Sequence, residues 1–174
     1  ERVELLMEAG VDQVNMGVQS GSQRIAKGLF GRRDSNANVI KAVDILVRAS
    51  LKYNTSPPMP DFIVLNPYET TEDIMDSIEL IRMLPSPFNL ITHTMSFFKG
   101  TPLHKKALQD KVISTNYAFD YDLHNFIAHT NDTRRQITPE NLYFSSLLYR
   151  MRGIHQNSQR GSLTEGELEI SLSA

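Results

Sequence analysis

The sequence repeats one arrangement three times: a short apolar segment typical of a β-strand, a polar turn, and a helix. The apolar segments span residues 11–18, 59–65 and 90–98. Helices of the length that follows them form crossovers between parallel strands, and such crossovers are right-handed. The pattern therefore predicts an α/β fold, in which helices pack on a parallel sheet.

Capping residues mark where the helices begin, because their side chains accept hydrogen bonds from the first-turn amides. In chain order they are Ser22; Asp34, Ser35 or Asn36; Thr70 or Thr71; and Thr101, which Pro102 follows. A helix that starts at residue 1 without a cap and stops at Gly10 precedes the first strand, and residues 139–153 predict a last amphipathic helix. Residues 155–174 carry too few apolar side chains to offset the entropy of ordering them.

Composition restricts the class of function. Lys and Arg number 18 and Asp and Glu number 20, so the net charge of −2 gives no general attraction to nucleic acid. No apolar run approaches the roughly 20 residues of a membrane helix, and no signal peptide is visible, so we expect no membrane association and a cytoplasmic location. The chain has no Cys, which excludes disulfides and Cys-ligated clusters within it, and its five His show no ligand spacing.

The turns after the three strands are the expected place for a ligand site. In parallel α/β sheets, ligands bind at the carboxyl ends of the strands, here residues 19–22, 66–69 and 96–100. Three strands preceded by an uncapped helix leave the sheet edges without partners. We therefore expect further strands upstream, with this chain as the second half of a barrel.

Three segments together resemble the later strands of radical S-adenosylmethionine (radical SAM) enzymes. They are residues 16–25 (MGVQSGSQRI), 61–70 (DFIVLNPYET) and 96–103 (SFFKGTPL), and they occur in the family's order. The second segment is most similar to the branch that often carries a cobalamin-binding domain. The resemblance covers about residues 1–111.

The resemblance implies strands four to six of a partial six-stranded β/α barrel in residues 1–111. A helical extension would follow over 112–153, and a flexible tail over 154–174. The family's 4Fe-4S cluster, held by three Cys, and its reductive cleavage of S-adenosylmethionine would then depend on a missing N-terminal half of the same protein. This chain would be inactive alone, and its substrate is unknown.

The resemblance also implies the residues that contact S-adenosylmethionine. Gln19 stands at the ribose-contacting position, Asp61 matches a ribose-binding Asp whose carboxylate accepts two hydrogen bonds, and Arg32 matches an Arg directed at the methionyl carboxylate. The other interpretations are a Gln19 amide bound to loop backbone, an Asp61 salt bridge and a solvated Arg32.

Ser20, Ser22 and Ser96 complete the predicted contacts with the cofactor. Ser20 and Ser22 would contact the methionyl carboxylate of the cofactor, although N-capping of the helix explains Ser22 equally well. Ser96 belongs to a strand end whose backbone and rings would contact adenine, although core packing explains those rings as well. Glu69 is assigned to loop orientation or to the N-terminus of the next helix.

Three functions remain open at this point. The first is part of a radical SAM enzyme, with cobalamin-dependent methyl transfer as the most specific version. The second is a β/α-barrel lyase or hydrolase that uses Asp61 and Glu69 as acid and base. The third is a barrel half without catalytic activity that serves as an interaction module.

Overall fold

The structure is a computed structural model that describes residues 2–115, together with 138–141, 143, 144, 146–148 and 151. Its elements, in chain order, are α1 (Arg2–Glu8), β1 (Asn15–Gln19), α2 (Gln23–Gly28), α3 (Asn36–Tyr53), β2 (Met59–Val64), α4 (Thr71–Met83), β3 (Ile91–Thr94) and α5 (Pro102–Gln109). The described residues from 139 to 151 are helical. Most of the predicted extension and the whole predicted tail lie outside the described residues.

The three strands form one parallel sheet in the order β1-β2-β3. Gly17 of β1 pairs with Asp61 of β2, which in turn pairs with Ile91 of β3. A helix or helix pair separates each strand from the next, as a parallel connection requires. The predicted α/β class with a parallel sheet is therefore confirmed.

All three strands end or begin short of the predicted apolar segments, β2 by one residue and the other two by more. β1 begins at Asn15, and the amide of Val11 is bound by the carbonyl of Leu6 in the turn after α1. β3 stops at Thr94, because its partner β2 leaves the sheet at Leu65, whose φ of 55° is left-handed. The apolar content of a segment does not reveal where its partner strand ends.

The helix starts agree with the predicted caps. The side chains of Ser22, Ser35, Thr70 and Thr101 accept hydrogen bonds from amides in the first turns of α2, α3, α4 and α5. Pro102 occupies the first turn of α5, where the missing N–H costs no helical bond. None of the described helices is long and apolar enough to cross a membrane.

The larger of the two buried clusters lies on the side of the sheet covered by α3 and α4, and a smaller one around Phe97 and Ala107 packs against Ile63 of β2. Along β2, Pro60, Phe62 and Val64 are buried while the alternate residues are half-buried, so the two faces of the strand differ. The buried face packs against α3 and α4 and against the helical residues near the C-terminal end, through Val43, Val47, Ile74, Ile78, Ile81 and Leu148. The other face, which carries Asp61, is only partly covered by described residues.

The turn after β1 is fixed directly against α4. The amide of Gly21 donates a 2.8 Å hydrogen bond to Oγ of Ser77. A Cβ atom on Gly21 would lie 2.4 Å from the carbonyl oxygen of Asp76 and 2.6 Å from Cα of Ser77. Because these obstacles are backbone atoms of a helix, only glycine allows this approach.

Asp73 joins the same turn to the start of α4. Its carboxylate accepts hydrogen bonds from the amide and hydroxyl of Thr70, from the hydroxyl of Ser22 and from the guanidinium of Arg24. Burial raises the pKa of Asp73, but the hydrogen bonds from Arg24, Ser22 and Thr70 outweigh it and bring that pKa to about 2. Asp73 is thus ionised at neutral pH and connects the beginnings of two helices.

We expect Gly21→Ala to lower the free energy of unfolding by roughly 1–3 kcal/mol, because the new methyl group forces the turn away from α4. Urea-induced unfolding followed by circular dichroism measures this change. Gly28→Ala is the matched control, because a Cβ there would have no neighbour within 4 Å. Equal stability of the two variants would contradict the proposed close contact.

Candidate functional site

Gln19 closes β1 in an unusual backbone conformation. Its φ is 72°, and the pairing with β2 shifts between Gly17 and Gln19, which is a local bulge. A left-handed conformation at a residue with a side chain costs on the order of 1 kcal/mol or more and is common at ligand sites. The Oε1 atom of Gln19 accepts a 3.2 Å hydrogen bond from Nε of Arg32. The orientation of the amide is thus fixed, with its NH₂ group as the remaining donor.

Arg32 reaches the sheet because Gly17 has no side chain. A Cβ atom on Gly17 would lie 3.0 Å from an Nη atom of Arg32, so the guanidinium lies over this glycine. The amide of Arg32 donates to the carbonyl of Ala26 at 2.8 Å, which ties the loop to α2. Gly17 pairs with Asp61 in the sheet. The positive charge of Arg32 is therefore placed near the middle of β2.

Asp61 lies on the partly covered face of the sheet, with a side chain that is 20% exposed. Its Oδ2 atom is 3.4 Å from Nε2 of His93, whereas its Oδ1 atom is buried and has no hydrogen-bond partner among the described residues. Burial raises the pKa of Asp61, and the charges of His93 and Arg32 oppose that rise. A buried carboxylate oxygen without a partner is costly in a folded protein, so it indicates a place for an external donor.

The structure thus brings together three of the predicted residues, Gln19, Arg32 and Asp61, and adds His93. The expected acceptance of two ligand hydrogen bonds by Asp61 stays a prediction; in the structure Oδ2 lies 3.4 Å from Nε2 of His93, and Oδ1 has no partner among the described residues. The histidines were weighed from the sequence only as metal ligands, so this contact was not predicted. The available signal was a polar residue within the third apolar segment, two positions along β3 from Ile91, the partner of Asp61.

Ser20 and Ser22 lie elsewhere, in the buried network beside α4. Oγ of Ser20 donates to Oε1 of Glu69 at 3.1 Å, and Oγ of Ser22 donates to Oδ1 of Asp73 at 2.5 Å. Both serines are buried, and Ser22 also caps α2. Their hydroxyl groups are therefore engaged within the protein, and contact with a cofactor stays a prediction for both.

Glu69 is buried in that network, with 6% of its surface exposed. Burial raises its pKa to about 8, the nearby Asp73 carboxylate adds to the rise, and the hydrogen bond from Ser20 and the charge of Arg24 reduce it. Glu69 is therefore mostly protonated at neutral pH. It shares no hydrogen-bond partner with Asp61 among the described residues, so the structure does not join these two carboxyl groups into an acid and base pair.

Ser96 is half-buried and lies two residues beyond the end of β3. Its neighbour Phe97 is fully buried and contacts the ring of Tyr68 edge to face at 6.4 Å, so packing accounts for that ring. A contact between Ser96 and adenine stays a prediction. In the described part of the chain, no group of three or more His, Asp or Glu side chains is placed to hold a metal ion.

Glu69→Gln should make stability less sensitive to pH. A carboxyl group whose pKa is raised by folding favours the folded state below its unfolded pKa, and this stability is lost as pH rises through the folded value. We expect the free energy of unfolding of the unaltered chain to fall between about pH 4.5 and 8, and the variant to lack this fall. Urea titrations across this range measure it.

Glu79→Gln is the control for Glu69→Gln, because Glu79 is exposed and pairs with Arg82 at the surface. It should retain the pH dependence of the unaltered chain. The same pH dependence in Glu69→Gln would contradict a buried, protonated Glu69.

Comparison with known proteins agrees with the α/β fold. The sequence model of the radical SAM superfamily matches residues 1–81, a range that contains Gln19, Arg32 and Asp61. No curated protein matches the chain. Residues 1–81 are thus similar to the radical SAM superfamily, and this match, with the parallel α/β sheet, supports a radical SAM domain and an enzymatic role for the protein that contains it.

Proposed function

We propose that this chain supplies part of the S-adenosylmethionine-binding surface of a radical SAM enzyme. The observation that carries the proposal is the buried, unpartnered Oδ1 atom of Asp61. Asp61 lies in the segment that matches the superfamily, and the charge of Arg32 is close enough to lower its pKa. A ribose hydroxyl is a donor that suits this oxygen.

Arg32 and Gln19 offer the other groups that such a cofactor needs. Nε of Arg32 is bound to Gln19, and the Nη groups make no hydrogen bond with described residues, so they are available to a carboxylate. A guanidinium fork binds a carboxylate through two parallel hydrogen bonds. Gln19 keeps its amide NH₂ group as a donor to the ligand. Together, the amide donor of Gln19, the cation of Arg32 and the carboxylate of Asp61 match the ribose and methionyl groups of the cofactor.

The residues of this chain do not fit the iron–sulfur cluster of the family. The sequence has no Cys, and the described residues form no metal-binding group. In our proposal the cluster ligands come from a separate part of the protein, whereas β1, β2 and β3 correspond to strands four to six of the barrel. When bound beside the cluster, S-adenosylmethionine supplies radical chemistry; Asp61, Arg32 and Gln19 bind and orient it.

The substrate class is open beyond this point. Cobalamin-dependent methyl transfer remains the most specific version of the proposal, and its support is the similarity of residues 61–70 to the cobalamin-linked branch. The lyase or hydrolase alternative needs Glu69 as an accessible acid or base, and the burial of Glu69 opposes it. No described contact favours a purely structural interaction module.

Asp61→Asn tests the proposal, because it keeps the volume of the side chain and removes its charge. Loss of a hydrogen bond to a charged group costs on the order of 1.5–3 kcal/mol, which is about tenfold to a hundredfold in affinity. We expect this weakening in the dissociation constant for S-adenosylmethionine, measured by calorimetric titration of the full-length protein that contains this chain and the cluster ligands, with little change in melting temperature.

Asp44→Asn is the matched control, since Asp44 pairs with Arg48 on the surface of α3. It should bind S-adenosylmethionine as the unaltered chain does. If Asp61→Asn lowers the melting temperature by several degrees but leaves affinity unchanged, then Asp61 is a structural ion-pair residue and the proposal fails.

A further inference from the structure

The contact between Asp61 and His93 follows from the register of the sheet. Ile63 pairs with His93 and Asp61 pairs with Ile91, so Asp61 and His93 stand diagonally on neighbouring strands and on the same face. The face is partly covered on the side of Asp61 and open on the side of His93, whose side chain is 62% exposed. His93 therefore contacts a mostly buried carboxylate while most of its own side chain lies in solvent.

The two oxygens of Asp61 have different surroundings. Oδ2 lies 3.4 Å from Nε2 of His93, whereas Oδ1 is buried and unpartnered among the described residues. An attraction on one oxygen restricts rotation of the carboxylate, and it therefore fixes the direction of the other. Such orientation lowers the entropic cost of binding a ligand hydroxyl.

We infer that His93 is a positioning residue for the ligand site: its imidazole pairs with Oδ2 of Asp61 and leaves Oδ1 as the oxygen that receives a ligand hydroxyl. This inference rests on the proposed function, because the hydroxyl in question is that of S-adenosylmethionine. Within the described part of the chain, the charged groups that act on Asp61 are His93 from β3 and Arg32 from the loop after α2. β1 contributes the neutral Gln19 to this site.

The charge of His93 also affects the ionisation of Asp61. Burial raises the pKa of Asp61 and a protonated His93 opposes that rise, so loss of the imidazole should raise the pKa further. A hydroxyl binds the ionised carboxylate more strongly than the protonated form. Affinity for S-adenosylmethionine should thus fall on acidification, and it should fall at a higher pH when His93 is absent.

His93→Gln and His93→Lys separate charge from bulk. The first removes the positive charge and the second supplies it at all relevant pH values. We expect the acid limb of S-adenosylmethionine binding to move to higher pH in His93→Gln than in the unaltered chain, because the charge that opposes the raised pKa of Asp61 is lost. In His93→Lys the limb should return towards that of the unaltered chain. Asn15→Ala, an exposed position at the other end of β1, should change nothing.

A measurement without ligand tests the pair independently. The carboxyl ¹³C resonance of Asp61, followed by NMR from pH 3 to 8, should titrate at higher pH in His93→Gln than in the unaltered chain and in His93→Lys. If neither this titration nor the acid limb of binding moves, while Asp61→Asn still weakens binding, the inference about His93 is overturned and the proposed function stands. If Asp61→Asn leaves binding unchanged, the proposed function is overturned, and the NMR titration alone decides whether the pair exists.

Discussion

The arrangement of this chain depends on the polar junction at Asp73. Its carboxylate accepts one hydrogen bond from the amide of Thr70 at the start of α4 and another from the hydroxyl of Ser22, which caps α2. It also pairs with Arg24. Because its pKa is held at about 2, the junction is charged over the physiological range. The turn after β1 is thereby held against α4, and Gln19 is held at the end of β1. The candidate ligand site is therefore positioned by interactions that take no part in it.

The two faces of the sheet have different roles: one holds strands and helices together, and the other carries the candidate site. On the helix side, the buried residues of β2 and the network around Ser20, Glu69 and Asp73 hold the strands and helices together. On the other face, Arg32, Asp61 and His93 place charges where described residues cover them only in part. Ser20 and Ser22 are near Gln19 in sequence, yet they point into the helix-side network. The period of two along a strand and the sharp turn after it account for this division.

The sequence allowed prediction of those features that depend on local chemistry. The capping residues Ser22, Thr70 and Thr101 identified three helix starts, since a cap acts within one turn of its own helix. The α/β class followed from the alternation of segments. The end of β3 was not predictable, because it depends on the left-handed conformation of Leu65 in a different strand.

The residues of the candidate site were predictable only in part. Gln19, Arg32 and Asp61 were found through a resemblance in which each residue has its own position. His93 was missed because its importance lies in a diagonal contact across two strands, which no local pattern records. The burial of Glu69 was also hidden, since it depends on α4 and on Asn141, whose amide donates to the carbonyl of Glu69.

The glycine at position 17 has a consequence for how this surface can diversify. Its missing side chain is the space in which the guanidinium of Arg32 lies. A Cβ atom at this position would lie 3.0 Å from that guanidinium, so Ala or Ser would shift the Arg32 side chain by a few tenths of an ångström. The next residue, Val18, belongs to the buried core and would be untouched. The residue at position 17 can therefore adjust where the charge of Arg32 lies without altering the packing beneath it.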